Sequence, residues 1–264
     1  DSQGTAHMSY RDNDNADLRH STVYTRTLWD SVSASPTGDL SGSRPGSFVG
    51  VSGGVASFVY PNASSGMLEH LEYYENATYS YVVEGESSNT GTYSAFSLDG
   101  NGNKHIAYYN SSSYSMDYAK SIGNLWQTQS VDLGTGSSSG MRHMSIVTGP
   151  DNLPHISYVE ESLDLVKYAH LDGSSWNITI VEDLGDAYNN GDVYDTSIVL
   201  NSLGLPEIAY AFRNYSGTAW DYGVRYATFN GTSWSIDTVM SRATSYTWGS
   251  LDHALNSSDS PQIV

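Results

Sequence analysis

A chain of 264 residues that is 38% hydrophobic and 12% aromatic carries enough apolar material for a sizeable core, which excludes a disordered tail. Eleven Lys and Arg stand against 29 Asp and Glu, a formal charge of -18, so a nucleic-acid backbone or an anionic membrane surface is repelled at long range and neither is expected as a partner. Zero cysteines exclude disulfides, thiol catalysis and zinc-thiolate sites, and no run approaches the roughly 18 apolar residues of a membrane span.

In chain order, TAHMSY (5–10) is the first short segment of small, aromatic and β-branched residues, followed by LRHS from Leu18, a segment around Trp29, and SFVGV (47–51). The series then returns as SFVY ending at Tyr60, LEHL from Leu68, a segment around Tyr79, and SAFSL (94–98). It returns again as HIAY ending at Tyr108, MDYA from Met116, Trp126 and HMSIV (143–147). HISY ending at Tyr158, VKYA from Val166, Trp176 and TSIVL (196–200) make the next unit. EIAY ending at Tyr210, VRYA from Val224, Trp234 and SLDHAL (250–255) make the last. The marker tyrosines Tyr10, Tyr60, Tyr108, Tyr158 and Tyr210 are 50, 48, 50 and 52 residues apart.

Each segment is bounded by Gly, Asn, Asp or Pro and hardly any window has a helical period, so four strands per repeat are predicted. Four antiparallel strands at a period near 50 fit a β-propeller blade, in which each sheet buries its faces against its neighbours. The expectation is one all-β propeller domain over residues 1–264, with about five four-stranded blades and repeats starting near 1, 52, 99, 149 and 201. With the SIVL type lettered A, the HISY type B, the VKYA type C and the Trp-bearing type D, A is innermost and D outermost. Residues 250–264 either supply a closing strand for the first blade, removing an exposed sheet edge, or begin a further repeat of a longer tandem.

Between C and D the chain reads Ala119-Lys-Ser-Ile-Gly123-Asn-Leu-Trp126, Ala169-His-Leu-Asp-Gly173-Ser-Ser-Trp176 and Ala227-Thr-Phe-Asn-Gly231-Thr-Ser-Trp234. This resembles the sialidase-like, Asp-box propellers, whose S-x-D-x-G-x-x-W turn leads into the outer strand. The Gly and Trp spacing is kept, whereas the Asp position holds Ser121, Leu171 or Phe229 and the opening Ser/Thr is Ala. The resemblance therefore implies the fold and carries no chemistry by itself.

His7, His105 and His155 share one slot of strand B with Ser57, Glu207 and Gln262, as expected of a hydrogen-bonding position repeated around a ring. The tyrosine ring and the tryptophans read as packing between blades. Function is better sought where the repeats disagree, on the rim shared by the B–C and D–A loops. Arg44, Tyr93, Arg142, His143, Tyr194, Asp195 and Trp248 stand there at the head of strand A, and Trp220 and Tyr222 in the long fifth B–C loop. A sialidase needs converging arginines, a tyrosine nucleophile and an acidic proton donor, for which Arg44, Arg142, Arg213, Tyr93 and Asp195 are the candidates.

Asp12, Asp14 and Asp17 resemble the front half of a calcium loop, without its sixth-position Gly and distal Glu, so at most weak calcium binding is expected and no other cofactor. Seven N-x-[ST] patterns, at Asn62, Asn76, Asn110, Asn177, Asn214, Asn230 and Asn256, are candidate glycan acceptors of an extracellular or cell-surface protein. The reading is a non-enzymatic propeller that binds a glycan, a polymer or a surface protein through this rim. One alternative is a sialidase-like glycoside hydrolase or a polysaccharide lyase at the channel mouth, and another is an architectural subunit that self-associates.

Overall fold

The computed structural model describes residues 6–12, 17–25, 28–33, 47–52, 55–62, 65–74, 77–84, 90–123, 125–134, 140–185, 191–215, 218–243 and 250–264, with side chains from residue 55 onward except Tyr74. Strands β1 (Ala6–Asp12), β2 (Asp17–Thr25) and β3 (Leu28–Ser33) form a three-stranded sheet. Four four-stranded antiparallel sheets follow. The first holds β4 (Ser47–Ser52), β5 (Val55–Pro61), β6 (Leu68–Tyr74) and β7 (Ala77–Glu84). The second holds β8 (Ser94–Leu98), β9 (Lys104–Asn110), β10 (Ser115–Ile122) and β11 (Leu125–Leu133). The third is β12 (Met141–Thr148), β13 (Pro154–Glu160), β14 (Leu165–Asp172) and β15 (Ser175–Asp183). The fourth is β16 (Asp192–Leu200), β17 (Pro206–Tyr215), β18 (Trp220–Phe229) and β19 (Trp234–Arg242). A last pair, β20 (His253–Leu255) and β21 (Pro261–Ile263), repeats the A–B hairpin.

Within each full sheet the strands are paired in sequence order, as meanders. The A strands β4, β8, β12, β16 and β20 lie side by side in succession, and hydroxyls stitch them together. Thr148 Oγ1 donates to the Leu98 carbonyl at 2.7 Å and Thr196 Oγ1 to the His143 carbonyl at 2.5 Å. Ser145 Oγ accepts from the Ile198 N–H, and Ser197 Oγ from the His253 N–H. Strands β9, β13 and β17 are buried on both faces, which explains why their sequences are continuous apolar and small runs. The D strands β11, β15 and β19 are largely exposed and correspondingly polar.

The turns repeat as well. In all four described A–B turns the N–H of Asp99, Gly149, Asn201 or Asn256 bonds the carbonyl four residues on, and its own carbonyl receives the N–H three residues on. That third residue is left-handed each time: Gly102, Asn152, Gly204 and Asp259. Gly and Asn/Asp are the residues that tolerate this conformation. The last three C–D turns use Gly123, Gly173 and Gly231, also left-handed, where an added Cβ would meet nothing, so backbone conformation alone selects glycine.

Neighbouring sheets are joined by three recurring contacts. The buried B-strand tyrosines donate to a D-strand carboxylate of the preceding sheet: Tyr108 to Glu84 at 3.2 Å, Tyr158 to Asp132 at 2.6 Å and Tyr210 to Glu182 at 2.5 Å. A C-strand cation completes two of these staples, Lys167 on Asp132 and Arg225 on Glu182. Trp126, Trp176 and Trp234 stand edge-on to His70, Tyr118 and Tyr168 of the preceding sheet, with centroids 5.1–5.4 Å apart. The histidine slot is structural: His105 and His155 each bond the hydroxyl of a tyrosine on the adjoining C strand, Tyr118 or Tyr168, through Nδ1 at 2.6 Å, and Glu207 accepts from Tyr226.

Candidate functional site

Backbone irregularities build the rim. Strand β12 is bulged between Arg142 and Ser145, and β16 between Val193 and Asp195, so each A strand twists as it leaves the sheet. His143 sits in the first bulge at φ 51°, a left-handed conformation held in place by the Thr196 hydroxyl on its carbonyl. Tyr93, His143 and Asp195 occupy one slot of three successive repeats. Their side chains meet in that order: Tyr93 and His143 ring centroids are 5.9 Å apart, and His143 Nδ1 lies 4.0 Å from Asp195 Oδ1. Asp195 is itself fixed by the backbone N–H groups of Thr196 and Leu251, each 3.0 Å from one carboxylate oxygen.

Arg142 lies 5.3 Å over the Tyr93 ring and pairs with Glu161 at 2.5 Å. Glu161 opens a single 3-10 turn that ends at Asp164, which is left-handed and buried. Burial, then the charge of Asp192, push Asp164 up to about 6 despite nearby Arg213. Asp192 is also raised, by burial working against Arg213, the Val193 N–H, Arg142 and Tyr194. Burial and Asp192 raise Tyr194 in turn. The rim between the third and fourth full sheets thus holds a run of coupled acidic and basic groups.

Its far side is the β17–β18 hairpin, ten residues per strand against seven to nine in the other described B and C strands, so it reaches beyond its equivalents. Arg213 pairs with Asp192 at 3.3 Å and lies 4.7 Å over the Trp220 ring. Tyr215 and Trp220 centroids are 5.0 Å apart, and Trp220 and Tyr222 6.1 Å. Trp220 and Tyr215 are half-buried while Tyr222 is buried beneath them.

The structure brings Tyr93, Arg142, His143 and Asp195 together, and joins Tyr194 and Trp220 to the same rim through Asp192 and Arg213. Arg44, Trp248, Asp14 and Asn76 lie outside the described residues, and Asp12 and Asp17 are described only as backbone, facing each other across the β1–β2 hairpin. Among the described residues no three His, Asp or Glu side chains gather as a metal site. Asn177, Asn230 and Asn256 are exposed and Asn110 and Asn214 half-buried, while Asn62 is buried and donates to Glu69 at 2.9 Å. Sequence reasoning missed Asp164 and Asp192. The one signal for Asp164 was an Asp closing the ESLD turn before strand C, a position that favours left-handed backbone.

No protein-family model matches the chain, and no curated protein does. Among solved structures, an arginine-to-alanine mutant of AofleA from Arthrobotrys oligospora is 10% identical with a TM-score of 0.60, covering 98% of this chain and 78% of that one. A protein of unknown function from Dyadobacter fermentans gives 0.58 at 11% identity, covering 95% and 84%. The α-L-arabinanase of Penicillium chrysogenum, solved with arabinobiose, gives 0.55 at 7% identity, covering 79% and 70%. At these identities the likeness is one of fold, an all-β propeller of four-stranded antiparallel sheets.

Proposed function

We propose that the chain binds a carbohydrate on the B–C/D–A rim, with Trp220 and Tyr215 as the stacking platform and Arg213, Asp192, Arg142 and Glu161 as hydrogen-bonding partners for hydroxyls. The observation that carries this reading is the extended β17–β18 hairpin, which lifts a Trp–Tyr pair beside a run of polar side chains. An apolar ring face flanked by charged hydrogen-bonding groups matches a sugar, whose axial C–H face is apolar and whose edge is hydroxyl. Arg142 and Arg213 are each already paired with a carboxylate in a chain of charge -18, which favours a neutral sugar over an anionic one. Arabinobiose in the similarly folded arabinanase agrees with that class. An extracellular or cell-surface location belongs to the same proposal; among the described residues no helix is long and apolar enough to cross a membrane.

Calorimetry against a panel of neutral oligosaccharides, arabino-oligosaccharides included, is the test. Saturable binding that Trp220→Ala weakens at least about tenfold is expected. Absence of binding across the panel, or an unaffected Trp220→Ala, would end the proposal. Hydrolysis at the same rim is a second reading, favoured by Asp164, held protonated to about 6 beside the ionisable Asp192. It requires reducing-sugar release that Asp164→Asn abolishes while leaving binding in place.

A further inference from the structure

At the opposite end of the A strands from the rim, where they turn into B, a cavity of about 620 Å³ opens to solvent. Four successive A–B turns line it, with Leu98, Val147, Val199, Leu200 and Leu255 forming its apolar walls. That volume is in the range of small-molecule sites.

What the wall withholds identifies the occupant. Among the described residues Asp99 is the one carboxylate in the wall, and both its oxygens are used. One accepts the N–H groups of Asn101 and Asn103, at 2.9 and 2.8 Å, and the other the Asn103 side chain at 2.8 Å and His105 Nε2 at 3.3 Å. Thr148 Oγ1 donates to the Leu98 carbonyl. Asn201 receives the N–H groups of Leu203 and Leu205, both at 3.0 Å, and donates to Glu207. The backbone N–H groups of Asp99, Gly149 and Asn201 close their own turns. Among the described residues the polar side chains of the wall, Asp99, Thr148 and Asn201, are each engaged within the fold, and no cation lines the opening.

A ligand carrying charge would leave water without recovering its hydrogen bonds, whereas apolar surface gains by burial there. We propose that this cavity is a second binding site, separate from the rim, for an uncharged and largely apolar small molecule. Contacts with it are van der Waals and its selectivity is against charge.

Fluorescence titration with N-phenylnaphthylamine, a neutral probe, and with its sulfonate, anilinonaphthalene sulfonate, tests both parts on the whole chain. Expected is saturable one-to-one binding of the neutral probe, with the sulfonate at least about tenfold weaker. Leu200→Asp, which charges the wall, and Ala254→Trp, which fills the cavity from an exposed lining position, should each lower affinity at least about tenfold. Leu203→Asp, in the same turn as Leu200 but 79% exposed and outside the cavity, should bind as the native chain does, and so should Trp220→Ala. If Leu200→Asp fails to fold, Ala254→Trp decides the question, since it leaves the core untouched. The proposal is overturned by absence of saturable binding, by equal affinity for the two probes, or by an Ala254→Trp variant that binds normally.

Discussion

One carboxylate, Asp132, receives the Tyr158 hydroxyl at 2.6 Å and the Lys167 ammonium at 2.8 Å from the next sheet, and Lys167 also reaches Glu160 at 2.6 Å. Tyr158 is fully buried, and its phenol is pushed far up by burial and by Asp132, so it remains a donor throughout the pH range of the folded protein. Asp132→Ala strands a buried hydroxyl and removes one of the two carboxylate partners of the half-buried Lys167, and should lower unfolding free energy in urea by about 2 kcal/mol. Glu72→Ala removes the partner of Lys104 from a pair that is 21% exposed on both sides, and should cost no more than about 1 kcal/mol. Equal losses would show that the staple adds nothing beyond a surface ion pair. Asp164 gives a pH signature. Its folded value of about 6 lies above the ordinary 3.8, so the folded chain keeps a proton that the unfolded chain releases, and stability from this group falls as pH rises between those values. Asp164→Asn, which keeps a residue tolerant of left-handed backbone, should therefore be more stable than the native chain at about pH 7.5 and indistinguishable from it at about pH 3. A gain that persists undiminished in acid would assign the effect to something other than the carboxyl's ionisation.

Among the elements, the fourth full sheet is the one whose B–C hairpin is lengthened, and it depends on a glycine. A Cβ on Gly223 would be driven into the Met240 carbonyl of β19 and stand 2.8 Å from Phe212 Cε1 of β17, so Gly223→Ala must displace one strand or the other. A loss of about 2–3 kcal/mol by thermal denaturation is expected, with Trp220 fluorescence altered because the hairpin below it shifts. An unchanged melt would mean that β18 has slack there. Most strands were legible in the sequence because B-strand Tyr, C-strand small residues and D-strand Trp each serve one repeated contact, and a side chain with one job recurs at one spacing. The Gly of the last three C–D turns, Gly123, Gly173 and Gly231, was legible for the same reason. The bulges in β12 and β16 were not, since a bulge depends on how two strands meet and leaves no periodic trace. Tyr93, His143 and Asp195 were each visible as oddities at the head of strand A, but their mutual contact depended on those bulges.

Over the whole molecule the repeat period reported the architecture, because sheets that bury both faces against their neighbours impose the same apolar pattern on each unit. It could not report what sites lie between units. The rim unites residues from Tyr93 to Trp220, and the opposite cavity unites turns about 50 residues apart, so neither forms a local motif. The C-terminal hairpin ties these levels together. Leu251 and Ile263 pack with Val224, Tyr226 and Ala211 of the fourth full sheet, and the Leu251 N–H holds Asp195 on the rim. Deleting residues 250–264 uncovers that apolar face and removes one of the two backbone donors that hold Asp195. Loss of several kcal/mol of burial should lower the melting temperature by roughly 5–10 °C, with aggregation visible in light scattering. Leu251→Pro, which removes that N–H together with the leucine's packing, should weaken carbohydrate binding about tenfold while lowering the melting temperature less than the deletion does. If binding survives that substitution, the hairpin acts as cover for the sheet and has no part in positioning the rim.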